Sequence, residues 1–342
     1  MTNIPIVDFA KAADGTKEER EHVARKLDEA FASAGFVYLK NHGVPHEQVE
    51  RCFEWVSEQP TYMSIKFELE ISLTLVQSKK FFDLPHETKM LASHPPGASH
   101  HRGYSAPGLE KISQHEYDPE ELTKLRDVPD FKESFEIGNV NDKTQPNIWL
   151  PEDKLPGFRA FMESYIVLSA DLVHRILDSL SIALKLPEPG LSPTHSENLS
   201  QMRLLHYPPI AAEELAQNKR TRINAHSDFG TLTRLFQDAV GGLEVEDQNV
   251  PGTFLAAKPI QDTVLVNSND RWRSAVHRVG IPPRIGEGVV SARYSIPFFA
   301  VANMETVIEA LPGSWDEKNP IKYEPVTAWN YVQMRMKALY ED

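Results

Sequence analysis

The stretch "INAHSDFGTLTRLF" places His226 and Asp228 two residues apart in a run of strand-forming side chains. Residues i and i+2 of a strand point to the same face. An imidazole and a carboxylate would therefore project together, and both are good ligands for a divalent cation. Downstream, "AVHRV" puts a third candidate, His277, on another strand-like run. Beyond it, "ARYSIPFF" sets Arg293 and Ser295 two apart on one face. The arginine fork matches a carboxylate bidentately, and a serine hydroxyl beside it extends the grip. Two histidines and one carboxylate make the facial triad that holds Fe(II) and leaves neighbouring positions open. A bare His-x-Asp is weak evidence in a chain with 13 histidines, and a polar strand edge is the plainer alternative.

Composition narrows the field. A chain of 342 residues can build a large core in one or two domains. Its 41% hydrophobic and 25% charged content is ordinary for a globular protein, and 25 prolines point to many short connections. A formal charge of −13 disfavours nucleic acid and anionic membranes, both of which attract basic faces. No apolar run approaches the ~20 residues of a membrane span. The start "MTNIPIVDFAKAADG" lacks the features of a signal peptide. Cys52 is the one cysteine, which excludes an intrachain disulfide or a thiolate cluster. A cytoplasmic location fits, with any metal held by His, Asp or Glu.

The elements that would carry these residues follow from periodicity. "IPIVDF" reads as a strand, followed by a helix with Val23, Leu27, Ala30, Phe31 and Ala34 on one face and Gly35 at its end. "FVYL" is a strand and "NHGV" a turn. A long helix over roughly 158–186 presents Phe158, Phe161, Tyr165, Leu168, Leu172, Ile176 and Leu180 along one side, as a brace for a sheet. From Met202 onward, "MRLLHYPP", "TLTRLF", "GGLEVED", "TFLAAKP", "DTVLVN", "WRSAVHRV" and "ARYSIPFFAV" are short strands separated by Pro, Gly and Asn/Asp. Such spacing predicts an antiparallel sandwich or barrel. A last helix follows Thr327, a candidate N-cap.

With "YPP" just upstream, HSD, HRV and RYS in this order resemble the isopenicillin-N-synthase-like branch of the 2-oxoglutarate- and Fe(II)-dependent dioxygenases. "IPIVDF", "AGFVYLKNHGV", "KKFFDLP", "RGYSAPGLEK" and "FKESFEIG" resemble that family's N-terminal part, so the likeness covers almost the whole chain. It implies an α+β chain, mainly β: a distorted double-stranded β-helix (jelly roll) over 198–305, an N-terminal α/β region over 1–145, a bracing helix within 150–187 and a C-terminal helix over 326–340. It further implies Fe(II) on His226, Asp228 and His277, and 2-oxoglutarate on Arg293, Ser295 and Tyr207, with O2 as the other co-substrate. Leu205 stands where the family often has an asparagine, which removes a polar contact. The implied activity is hydroxylation or desaturation of a small molecule, as in fungal secondary metabolism or amino-acid tailoring. An oxidase of the same fold that needs no 2-oxoglutarate is the close rival.

Around this constellation, Tyr104 of the "HRGYSAP" loop, Phe135 and Phe299 are candidates for the substrate pocket, with Phe298 in the core. His94, His100 and His101 fit a Pro/Gly loop better than a second metal site. His206 fits a structural position, as do Phe161, Tyr165 and Cys52. Arg271, Arg273 and Arg278 suit solvated or paired strand faces.

Two places depart from the family pattern. Residues 56–77 form an atypical insertion, and joining Trp55 to Ser78 restores the helix spacing. Val56 has a GT-initial codon and Gln77 can be CAG, the borders of a spliceosomal intron. Translated intron and genuine insertion are both open readings, and transcripts joining Trp55 to Ser78 or running through would separate them. After Asn267 the usual Gly-Asp turn and short strand are missing. Their loss is expected to remove a ladder partner and shift His277, which would leave an impaired enzyme unless "NSND" closes as a tight turn.

Overall fold

The computed structural model describes residues 4–56, 81–96, 101–108, 130–217, 219–228, 230–268, 275–282, 288–311, 315, 320–321 and 324–340. The inserted segment beyond Val56 and the connection over 269–274 therefore lie outside the described residues, as do His100, Arg271 and Arg273.

In chain order the strands are β1 (Ile6–Asp8), β2 (Phe36–Lys40), β3 (Gly103–Ser105), β4 (Glu133–Gly138), β5 (Gln201–Tyr207), β6 (Ile210–Ala211), β7 (Ile223–His226), β8 (Leu232–Gln237), β9 (Leu243–Glu246), β10 (Phe254–Ala256), β11 (Thr263–Ser268), β12 (His277–Val279), β13 (Val289–Val290), β14 (Arg293–Ala300), β15 (Val307–Ile308) and β16 (Val326–Thr327). The helices are α1 (Lys17–Ala34), α2 (His46–Val56), α3 (His86–Lys89), α4 (Phe158–Ala183), α5 (Ala212–Ala216) and α6 (Ala328–Tyr340). An eight-stranded sheet runs β1-β2-β11-β8-β14-β5-β4-β3, and a four-stranded sheet runs β10-β9-β12-β7. This is the jelly roll: β11, β8, β14 and β5 form the middle of the larger sheet, and the N-terminal strands extend it at both edges through β2 and β4.

Two apolar layers hold the larger sheet. On its outer side it shares a core with α1 and α4, including Leu27, Phe31, Phe158, Tyr165, Leu172 and Ile176. On its inner side a second cluster joins it to the smaller sheet through Leu205, Tyr207, Leu265, Ile223, Val245 and Val279. The helix boundaries have local causes. Thr16 and Glu19 form a reciprocal capping box at the start of α1, and Gly35 ends it at φ 67°. Thr327 Oγ1 accepts from the Asn330 N–H at 3.2 Å, capping α6 as its position predicted. Among the described residues, no helix is long and apolar enough to cross a membrane.

The ladder loss expected after Asn267 does not occur. β12 pairs with both β9 and β7, and His277 lies opposite His226, with a register irregularity between His277 and Val279. β11 meanwhile keeps both neighbours, β2 and β8. The strands that flank the shortened connection are thus in place.

Candidate active site

β7 ends at His226, and the chain turns immediately to present Asp228, while β12 begins at His277. Strand pairing brings the two imidazoles to 4.3 Å between ring centroids. Asp228 Oδ1 lies 3.9 Å from His226 Nε2 and 3.8 Å from His277 Nε2. These gaps are too long for hydrogen bonds and suit donors that share one ion at about 2 Å from each. The remaining atoms are tied back. His226 Nδ1 meets the Asn224 carbonyl at 2.8 Å, and His277 Nδ1 meets that of Ala275 at 3.1 Å. Both contacts fix the tautomer that leaves Nε2 as the donor. Asn267 Nδ2 donates to Asp228 Oδ2 at 3.0 Å, and Asn267 Oδ1 accepts from the Thr233 N–H at 3.1 Å. Burial, with His277 alongside, pushes His226 down to about 3, so it is neutral and ready to coordinate. Burial works to raise Asp228, and the two imidazoles with Asn267 more than offset it. This donor set fits a divalent transition-metal ion.

The triad opens on a cavity of about 610 Å3, open solvent at its mouth included. Phe36, Leu205, Leu235 and Leu265 give it apolar walls. Arg293 and Ser295 also line it, as do Tyr207, Arg203 and Phe299. Arg293 Nη1 donates to Ser295 Oγ at 3.0 Å and Nη2 to Gln237 Oε1 at 3.1 Å, with its guanidinium 5.0 Å from the Tyr207 ring centre. Arg222 lies on the same ring at 5.8 Å. Burial first, and Arg293 second, push Arg222 down to about 10. Asp238 faces both guanidinium groups. Burial nevertheless raises its carboxyl above the ordinary value.

Sequence reading thus finds the triad, Arg293, Ser295, Tyr207 and Phe299 gathered around one cavity, with Phe298 fully buried in the core. Two pocket assignments are corrected. Tyr104 and Phe135 are 2% and 0% exposed and pack in the aromatic core with Phe81 and Phe158. On β4, Phe135 and Ile137 face the helices, so Glu136 takes the opposite face. His206 stacks on Tyr294 and bonds Glu133 at 2.7 Å, a structural position as expected. Arg278 pairs with Glu244 at 2.7 Å. His94 and His101 are buried beside Glu136 rather than held in an open loop. Asn267, Gln237, Arg222 and Arg203 went unread, and the first two carried a signal: each is a polar residue at an inward position of an alternating strand.

Residues 198–302 match the 2OG-Fe(II) oxygenase superfamily, and residues 4–59 and 69–152 match the non-haem dioxygenase in morphine synthesis N-terminal family. The proline hydroxylase buaE of Petromyces alliaceus is 36% identical over 351 aligned residues, 99% of each chain. This chain belongs to the 2-oxoglutarate- and Fe(II)-dependent oxygenase family. The 2-oxoglutarate-dependent dioxygenase htyE of Aspergillus rugulosus is 34% identical, covering 98% of this oxygenase and 99% of the relative. Among solved structures, a full-length Neurospora crassa protein in complex with alpha-KG and thymine superposes with a TM-score of 0.80 at 34% identity. That match covers 98% of this oxygenase and 96% of the Neurospora chain. The oxygenase is an oxidoreductase that uses Fe(II), 2-oxoglutarate and O2 on a small molecule.

Proposed function

We propose that His226, Asp228 and His277 hold Fe(II), and that Arg293, with Ser295 and Tyr207, grips the distal carboxylate of 2-oxoglutarate. The observation that carries this reading is a charge imbalance at one end of the cavity. Two buried guanidinium groups, Arg293 and Arg222, face one carboxylate, Asp238. Nε of Arg293 and Nε and Nη1 of Arg222 are buried without a hydrogen-bond partner among the described residues. Buried cations left this way call for an anion, and a dicarboxylic co-substrate supplies it. Gln237 and Ser295 fix the plane of the Arg293 fork, so the carboxylate meets donors already oriented.

Bound Fe(II), with 2-oxoglutarate and O2, supplies the oxidising power to remove a hydrogen atom from a C–H bond. The chain's own residues do the rest. The backbone-tethered imidazoles would present their Nε2 atoms, together with Asp228 Oδ1, to the ion. Phe36, Leu205, Leu235 and Leu265 surround the reacting centre with apolar surface that excludes water and side reactions. Leu205, opposite Ser295 in the ladder, offers no hydrogen bond where the family often has an amide. Gln237 beside Arg293 is the polar group on that side.

The test is conversion of 2-oxoglutarate to succinate by the purified chain with Fe(II) and ascorbate, beside His226→Ala. Slow succinate release that vanishes in the variant is the expected result. Release that persists in His226→Ala would overturn the ligand assignment, and no release from the intact chain would overturn the assembled site.

A further inference from the structure

The cavity contains a second guanidinium, and its position along the strand separates it from the co-substrate end. Arg203, Leu205 and Tyr207 alternate along one face of β5, and all three line the cavity. At about 3.3 Å per residue, Arg203 stands about 13 Å up the strand from Tyr207, too far for one short diacid to touch both. Phe299 is on the neighbouring strand β14, six residues along from Arg293, and its ring centre is 6.0 Å from the Arg203 guanidinium.

Arg203 is held in place from behind. It lies opposite Glu136 in the β4–β5 ladder, and its Nη2 contacts Glu136 Oε1 at 2.6 Å. Glu136 is fully buried and also accepts from Gln201 Nε2 at 2.6 Å, with His101 Nδ1 at 3.3 Å. His94, His101 and Glu136 are close enough together to resemble a cation site. The arginine and glutamine already bound to Glu136 make it an anchor for Arg203 instead. Burial would raise the Glu136 carboxyl, and Arg203 beside it holds it well below the usual carboxylate range. A guanidinium fixed by a rear carboxylate keeps its plane and needs little reordering to meet a ligand. Among the described residues that line the cavity, Arg203 and Arg293 are the arginines, and the proposed co-substrate site uses Arg293.

We propose that Arg203 and Phe299 form the substrate end of the cavity, and that the substrate is a small carboxylate whose acid group meets Arg203 while its body lies on Phe299. This rests on reading the cavity as the oxygenase site. The fork geometry favours a planar two-oxygen anion over a single neutral carbonyl, and charge-assisted hydrogen bonds in a dry cavity are the stronger kind. The apolar walls beneath Arg203 then direct the carbon skeleton, rather than the acid group, towards the triad.

The probes are the proteinogenic amino acids, L-proline among them, each beside its amide, and thymine as a neutral planar compound. Succinate release by the intact chain without any probe, absent in His226→Ala, tests the underlying reading on its own. Given that release, at least one carboxylate should accelerate it, and the matching amide should need about tenfold to a hundredfold more for half-saturation. Calorimetry on protein loaded with Ni(II) and 2-oxoglutarate should show the same ratio for binding. Arg203→Gln should weaken the carboxylate by a similar factor and bring acid and amide together, while Arg203→Lys should recover part of the preference. If Arg203→Gln fails to fold, the acid-to-amide ratio of the intact chain and the Arg203→Lys variant still decide. Equal response to acid and amide, acceleration by thymine with none by any carboxylate, no response to the whole panel, or an unchanged preference in Arg203→Gln would each overturn the proposal.

Discussion

Asn267→Leu should separate the metal site from the fold that carries it. Asn267 is 3% exposed, donates to Asp228 Oδ2 at 3.0 Å and accepts from the Thr233 N–H at 3.1 Å. Leucine keeps roughly the volume and removes both bonds. A hydrogen bond to an ionised acceptor contributes about 1.5–3 kcal/mol, and a buried N–H left alone costs about 1–3 kcal/mol. Folding stability should therefore fall by about 2.5–6 kcal/mol. Asp228 also loses the amide that orients it, and the loss of such an outer partner typically weakens metal binding about tenfold to a hundredfold. Denaturant unfolding measures the first effect, and a Co(II) absorbance titration of the folded protein measures the second. Val264→Ala is the control, because Val264 is on the same strand and faces the helix-side core. It should cost about 1–3 kcal/mol of stability with metal affinity unchanged. If Asn267→Leu binds Co(II) as tightly as the intact chain, the carboxylate is oriented by other groups and the reasoning fails.

Two further predictions concern stability alone. Arg234 is fully buried among Phe236, Phe298 and Tyr165, its Nη2 donates to Ser169 Oγ, and its Nε and Nη1 have no partner among the described residues. The rings return part of the desolvation cost, so Arg234→Leu should raise stability by about 1–3 kcal/mol, read as a higher Tm, and a lower Tm would show that the aromatic cage outweighs it. His42 and His195 are each pushed down to about 4 by burial, from an ordinary 6.5. Their neutral form is the folded form, so the unfolded chain binds more protons below pH 6.5. Their contribution is complete above 6.5 and is lost as pH falls towards 4, at up to about 2–3 kcal/mol each. Urea midpoints at pH 8, 6 and 4.5 should fall in that order, with a shallower fall in His195→Asn, and an equal slope in that variant would remove His195 as a cause.

What could be read from the sequence was the chemistry whose spacing equals a strand's own period. Arg293 and Ser295 are an i, i+2 pair within β14 that alternation alone puts on one face, whereas β7 ends at His226 and the turn after it presents Asp228 beside it. Alternation does not say which face is inward when both sides of a sheet are covered. β4 and β8 show the consequence. Phe135 and Ile137 face the helices, and so do Leu232, Arg234 and Phe236. Glu136 holds Arg203 at the cavity wall, and Thr233, Leu235 and Gln237 line the cavity or bond to groups that do. On β4 and β8 the aromatics go to the helix-side core, whereas Phe36, Tyr207 and Phe299 of the same sheet line the cavity. Arg234 lies among the helix-side aromatics and Leu205 lines the cavity, so the identity of a single residue does not settle the face. The gap after Asn267 misled for a related reason. The ladder is closed by strands far apart in sequence, β9 and β7, and both reach β12 independently of the chain that leads into it. His277 is therefore placed by its neighbours across the sheet, and a shortened connection before it need not disturb the triad.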